Sequence, residues 1–100
     1  MSDQLARLSE WYERQCNDSW EHAFGISIET IDNPGWILRV ALRDTELLGR
    51  DFPERKIERS ERDWLICRKV GEQFEGVGGP ANLAEIIETF LSWADLPRRQ

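Results

Sequence analysis

A chain of 100 residues makes one domain with one core; a second domain does not fit. Its 40% apolar and 32% charged residues are those of an ordinary globule, and no apolar run approaches the roughly 20 residues that cross a bilayer, which argues against a membrane protein. The formal net charge of -6 argues against direct nucleic-acid binding, since phosphate contacts need clustered Lys and Arg, and favours a basic protein partner drawn in by electrostatic steering.

The acidity lies at the two ends. Residues 1–36 hold seven Asp or Glu against Arg7 and Arg14, and residues 71–100 hold five against two, whereas residues 37–70 hold seven against nine basic side chains. The opening segment, Met1 to Arg7, has no basic stretch followed by an apolar one, so the expected location is the cytoplasm. Cys16 and Cys67 would be reduced there. Two cysteines make no disulfide framework and lack CxxC or Cys-His spacing for zinc, so both read as small core residues, and no metal or cofactor is expected.

From the N-terminus, Asp3 is placed to cap a first helix whose apolar side is Leu5, Leu8 and Trp11 or Tyr12, extending to Cys16, at spacings of three and four. Asn17-Asp18-Ser19 ends it. Ile26 and Ile28 then alternate with Ser27 and Glu29, Asp32-Asn33-Pro34-Gly35 interrupts, and Trp36, Leu38, Val40 and Leu42 alternate again, which predicts a β-hairpin. Pro34 fixes φ, Gly35 tolerates φ > 0, and Asp32 or Asn33 can bond its own backbone, so the interruption has turn chemistry. Residues 43–53 read as a long connection from which Leu47, Leu48 and Phe52 tuck back towards the core. A second hairpin is predicted from about Arg55 to Ser60 and from Trp64 to Val70, joined near Glu61-Arg62-Asp63, with charges that can pair across the strands. The inward face of its second strand stays open: Trp64, Ile66 and Val70 share one side with Arg68, and Leu65 and Cys67 share the other with Lys69.

Gly76-Val77-Gly78-Gly79-Pro80-Ala81 imitates the start of a dinucleotide fingerprint. No second strand or ribose-binding acid follows it, and Glu75 and Glu85 would repel phosphate, so the segment reads as a turn. Asn82 with Glu85 three residues on is close to a capping box, and Leu83, Ile86, Ile87, Phe90, Leu91 and Ala94 form one apolar stripe. Pro97 is expected to end that helix and Arg98-Arg99-Gln100 to fray. The order helix, hairpin, long loop, hairpin, helix predicts an α+β fold: an antiparallel sheet of about four or more strands with the N- and C-terminal helices packed on it. Its expected core includes Leu5, Leu8, Ile26, Ile28, Leu38, Val40, Ile86, Ile87 and Phe90.

Chemistry is sparse. Glu21-His22 could join carboxylate and imidazole as a general base, but it lacks a nucleophile or metal partner in sequence, and neighbours on a strand point to opposite faces. Cys67 beside Arg68 and Lys69 could be an activated thiolate, but a nucleophile needs an exposed loop or helix start, and this cysteine lies within an apolar strand. Of the five Trp residues, Trp11, Trp36 and Trp93 are assigned to packing, while Trp20 and Trp64 lie beside Glu21 and Asp63 and are candidate anchors for a basic partner. With Glu29 and Asp32 of the acidic first hairpin, the candidate partner-binding set is Trp20, Glu21, His22, Glu29, Asp32, Asp63 and Trp64.

Trp11-Tyr12 and Cys16, Trp20-Glu21-His22, Gly25, Asp32-Asn33-Pro34-Gly35-Trp36, Glu58-Arg59-Ser60 with Asp63-Trp64, and Gly78-Gly79-Pro80 before Asn82-Leu83 together resemble the immunity protein 53 family, over about residues 5 to 93. The resemblance implies a small bacterial antitoxin that protects its producer by binding the cognate domain of a polymorphic toxin system, forming a stoichiometric complex without chemistry. If that toxin is a nuclease with a basic substrate groove, the acidic ends could imitate phosphates. Two other readings stay open: a small enzyme using Cys67 or His22, and a non-catalytic adaptor that lays a sheet edge or an acidic helix on another protein.

Overall fold

The computed structural model describes residues 3–95, so the expectations for Pro97 and the Arg98-Arg99-Gln100 tail fall outside the described residues. Helix α1, Gln4–Gln15, starts as expected, with the Asp3 carboxylate accepting the backbone N–H of Ala6 at 3.1 Å. Its buried stripe is narrower than the sequence suggests. Leu8 and Trp11 are buried, whereas Leu5, expected in the core, is 60% exposed in the first turn, at the rim of a shallow groove beside Leu83 and Ile87. Cys16 is only half-buried, its thiol donating to the Tyr12 carbonyl at 3.4 Å.

Residues 16–19 then close on themselves. Asp18 takes φ 73°, the Asn17 side-chain oxygen accepts the N–H groups of Ser19 and Trp20, and the Glu21 carboxylate accepts those of Asn17 and Asp18, both at 2.9 Å. This closure sets the one-turn helix α2, Trp20–Ala23, and directs Trp20 inward.

Strands β1 (Ile26–Ile31) and β2 (Gly35–Ala41) form the first predicted hairpin, and β3 (Arg55–Glu58) and β4 (Trp64–Val70) form the second. A further strand, β5 (Gln73–Gly78), joins the two, giving an antiparallel sheet of order β1-β2-β5-β4-β3. Gly76 to Gly78, read from the sequence as part of a turn, is therefore the end of the central strand. The reason lies in helix α3, Leu83–Ala94, whose Ile86 fills the space above it. A Cβ on Gly76 would sit 2.5 Å from Ile86 Cγ2, and one on Gly78 2.8 Å from Ile86 Cδ1. Gly71, at φ +59°, makes the two-residue return from Val70 to Gln73. Gly35 has a different reason from the one its turn position suggests: it takes no left-handed φ, but a Cβ there would run into the Gly78 carbonyl oxygen.

The core lies between the helices and one face of the sheet. Leu38, Val40, Phe74, Leu65 and Cys67 meet Ile86, Ile87, Phe90 and Leu91 of α3, with Leu8, Trp11 and Trp20 alongside. Rings cross edge-on, Trp11 against Phe90 at 5.0 Å and against Trp20 at 6.0 Å. The inward face of β4 is thus Leu65 and Cys67. Lys69 shares that face at the strand's far end, where its ammonium donates to the carbonyls of Leu48 at 2.5 Å and Arg50 at 2.8 Å. Those bonds, with Arg50 donating to the Trp93 carbonyl and the Trp93 indole to that of Asp51, fasten residues 43–54 down over buried Leu47. Ile28, expected in the core, is 36% exposed and Ile26 is half-buried, because β1 is an edge strand and α3 packs over β5, β2 and β4.

Candidate functional site

The helices cover one face of the sheet and leave the other open, an arrangement antiparallel sheets tolerate. On the open face Ile37, Val77 and Ile66 stand in register across β2, β5 and β4. Ile37 is only 9% exposed although it has no part in the helix-side core, so its neighbours on this face shield it. A charged line beside it alternates in sign: Glu29, which stands opposite Ile37, reaches diagonally to Arg39 at 3.6 Å. In the row of Arg39, that guanidinium approaches Glu75 to 3.6 Å and Glu75 approaches Arg68 to 3.4 Å. The charge of that line closes within itself.

Where β4 begins, a depression of about 500 Å³ is lined by Glu58, Arg59, Ser60, Glu61, Trp64 and Ile66. A polar network fixes one side of it. Asn82, 4% exposed, donates to Asp63 at 3.0 Å and to Glu85 at 3.2 Å and accepts the backbone N–H of Trp64 at 3.3 Å. Its side chain therefore does not cap α3 as the sequence spacing suggests; it ties the helix start to the second hairpin. Arg59 donates to Asp63 at 2.7 Å and to both oxygens of Glu85 at 3.1 and 2.6 Å. The grip of Glu85, then that of Asp63, raises the pKa of the guanidinium. The Asn82 amide and then Arg59 hold the Asp63 carboxyl below its usual range, and Arg59 foremost does the same for Glu85.

The first hairpin turn reaches this same end of the sheet. The Trp36 indole donates to the Pro80 carbonyl at 3.0 Å, Gly35 lies against Gly78, and a Cβ on Gly79 would strike the Arg62 carbonyl. Segments 32–36, 58–64 and 78–82 are far apart in sequence but meet here.

The candidate set divides in two. Glu29 stands on the open face of β1, Asp32 in the turn that follows, and Asp63 and Trp64 at the start of β4, two to three strand spacings away, about 10–14 Å. Glu21 and His22 lie at the opposite end of β1, about 20 Å along the strand direction. Trp20 must be withdrawn as an exposed anchor: it is 1% exposed, wedged between Trp11 and Tyr12. Glu21 does not orient His22, since backbone N–H groups, its own first and then those of Asn17 and Asp18, engage its carboxylate and lower its pKa. His22 is exposed. Cys67 has no exposed surface, and burial pushes its thiol up to about 12, so it stays protonated at neutral pH.

The apolar row on the open face was missed by the sequence reading. Its signal was the unbroken Trp36-Ile37-Leu38, which puts apolar side chains on both faces of β2. At the other end of the face, a depression of about 350 Å³ is bordered by Phe24, Ser27, Arg39 and Ala41, with Phe24 37% exposed. Among the described residues no three His, Cys, Asp or Glu side chains are grouped to hold a metal ion, and no helix is long and apolar enough to cross a membrane.

A family model described as Immunity protein 53 matches residues 5–95 of the chain. No curated protein and no solved structure matches it.

Proposed function

The chain belongs to the immunity protein 53 family, and we propose that it neutralises a cognate bacterial toxin domain by binding it in a stoichiometric complex, with no chemistry of its own. The observation that carries this reading is the open sheet face, where the apolar row of Ile37, Val77 and Ile66 is bordered by self-paired charges and by half-buried Trp64. Interfaces place an apolar or aromatic centre within a polar rim in this way. Trp64 is the anchor and Glu29, Asp32 and Asp63 the surrounding carboxylates; Glu21 and His22 join the contact where the toxin extends along the full length of β1.

The charge balance supports a basic toxin surface. Arg7, Arg39, Arg43, Lys56, Arg59 and Arg68 are all engaged by carboxylates of this chain, and Arg50 and Lys69 by its carbonyls. Among the described residues, Arg14, Arg55 and Arg62 have no such partner, against nine exposed carboxylates without an ion pair: Asp3, Glu10, Glu13, Asp18, Asp32, Asp44, Asp51, Glu54 and Glu61. The net field offered to a partner is therefore acidic, which speeds capture of a basic surface and disfavours direct nucleic-acid binding. The producing cell's cytoplasm is the proposed place of action.

The test is co-purification with the toxin domain encoded beside the gene. The expected result is a complex of fixed stoichiometry in which toxin activity is lost. A toxin that stays active beside excess folded protein, or a folded Cys67→Ser or His22→Gln variant that binds toxin without neutralising it, would contradict the proposal.

A further inference from the structure

The two edges of the sheet differ. On β2, Ala41 donates its N–H to the Gly25 carbonyl, so Gly25 and Ala41 form a hydrogen-bonded pair, and the register makes Ser27, Glu29 and Ile31 the residues that bond to β2. The N–H and C=O groups of Ile26, Ile28 and Thr30 therefore point away from the sheet. By the same alternation, the Arg59–Asp63 bond at the second hairpin leaves only Lys56 and Glu58 of β3 pointing outward. That edge is short and carries a charge at each outward residue, the usual guard against unwanted pairing; the β1 edge has six residues, no Lys, Arg or Pro, and a partly exposed Ile at its centre.

We infer that two copies of this chain pair antiparallel through the free edges of β1, centred on Ile28, to make one continuous sheet. The outward groups are symmetric about Ile28, so each Ile26 faces a Thr30 of the second copy and Ile28 faces its own equivalent, with all three donors and acceptors matched. On the helix side, the Ile28 pair covers the surface that α3 leaves bare. On the open face, Ser27 falls opposite Glu29 of the second copy, a hydroxyl beside a carboxylate. Shifting the centre by one residue to Glu29 would instead oppose the two Glu29 carboxylates. The register that satisfies the backbone is thus also the one that avoids like charges. Two-fold pairing puts both helical layers on one side and leaves both open faces on the other, so a second copy shares Glu29 with the proposed toxin contact but leaves Trp64 and the row of Ile37, Val77 and Ile66 uncovered.

Sedimentation velocity on the full chain from about 10 μM to 1 mM tests this, and the expected result is a concentration-dependent dimer. Thr30→Pro removes one outward N–H without touching the bonds to β2, and Ile28→Lys opposes two ammonium groups; with circular dichroism unchanged, both are expected to be monomeric. Ser27→Lys, facing Glu29 in two symmetric pairs, is expected to tighten the dimer about 2- to 30-fold, and Ser27→Glu to loosen it by a similar factor. A monomer across the whole range overturns the inference, as does a dimer indifferent to Thr30→Pro and Ile28→Lys. Ser27→Lys loosening the dimer as Ser27→Glu does would overturn the register. A monomeric wild type whose toxin binding is lost in Ile28→Lys would assign the edge to the toxin instead.

Discussion

Arg59 clasps Glu85 with two parallel hydrogen bonds, at 3.1 and 2.6 Å, and so joins the second hairpin to the first turn of α3. The same guanidinium reaches Asp63 at 2.7 Å. Because the link spans 26 positions of sequence, it fixes the shape of the depression around Trp64 from outside the sheet.

The clasp makes stability depend on acid. The carboxyls of Asp63 and Glu85 have folded pKa values below their ordinary ones, so their contribution is full above the ordinary carboxylate range, about pH 4–4.5, and is lost as pH falls through the lowered values. Thermal unfolding of the wild type is expected to weaken more steeply between about pH 5 and pH 3 than that of Arg59→Met, because the variant has lost Arg59's share of the linkage and keeps only that of the Asn82 amide. Parallel curves for the two proteins would show that Arg59 does not set these pKa values.

Trp20 is a core residue, and its substitution acts on stability. Its indole N–H and that of Trp11 are buried without a hydrogen-bond partner, so removing the ring and removing the donor have different consequences. Trp20→Ala is expected to destabilise by about 3–5 kcal/mol in denaturant titration. Trp20→Phe should cost well under half as much, since it deletes an unsatisfied donor while keeping an aromatic ring. A well-folded Trp20→Ala protein of unchanged stability and weakened toxin binding would return this residue to the interface.

The contact between β5 and α3 admits no methyl group. Gly76→Ala is expected to destabilise by about 1–3 kcal/mol through collision with Ile86, and Ile86→Ala by about 2–5 kcal/mol through the cavity it leaves. Since Ile86→Ala removes the colliding Cγ2, the double variant should lose less than the sum, by about 0.5–3 kcal/mol. Strict additivity in a double-mutant cycle would contradict the packing described for Gly76.

Thiol chemistry separates the two cysteines. With Cys67 sealed in the core and its thiol pushed up to about 12, a thiol reagent at neutral pH should modify half-buried Cys16 first and Cys67 only on unfolding. Rapid labelling of Cys67 in the native protein would reopen the case for a reactive thiolate.

These same residues show what a single sequence discloses. The alternation of Ile26 to Leu42 and the stripe from Leu83 to Ala94 each have a side chain at nearly every informative position, and both elements were legible. Strand β5 was not, because two of its three inward positions are glycines whose missing side chains make room for Ile86. Leu5 and Ile28 fit their patterns but lie where the covering layer stops, a boundary set by tertiary packing and invisible to periodicity. Trp20 beside Glu21 looked like an anchor ringed by charge; the turn at Asn17-Asp18 sends the two side chains to different tasks. The carboxylates Asp32 and Asp63 were identifiable, but their arrival at one end of the sheet depends on the order β1-β2-β5-β4-β3, which required the missing strand.

The central claim is that the toxin docks on the open face with Trp64 as anchor and acidic residues at its margin. Its most direct test is the kinetics of binding to the cognate toxin domain over a range of salt, for the wild type, Trp64→Ala and Asp32→Lys, each confirmed folded by circular dichroism. Trp64→Ala is expected to raise the off-rate more than about tenfold with little change in on-rate, and Asp32→Lys to lower the on-rate and flatten its dependence on salt. Rates within about twofold of wild type for both variants at low salt would place the toxin on another surface and contradict the account.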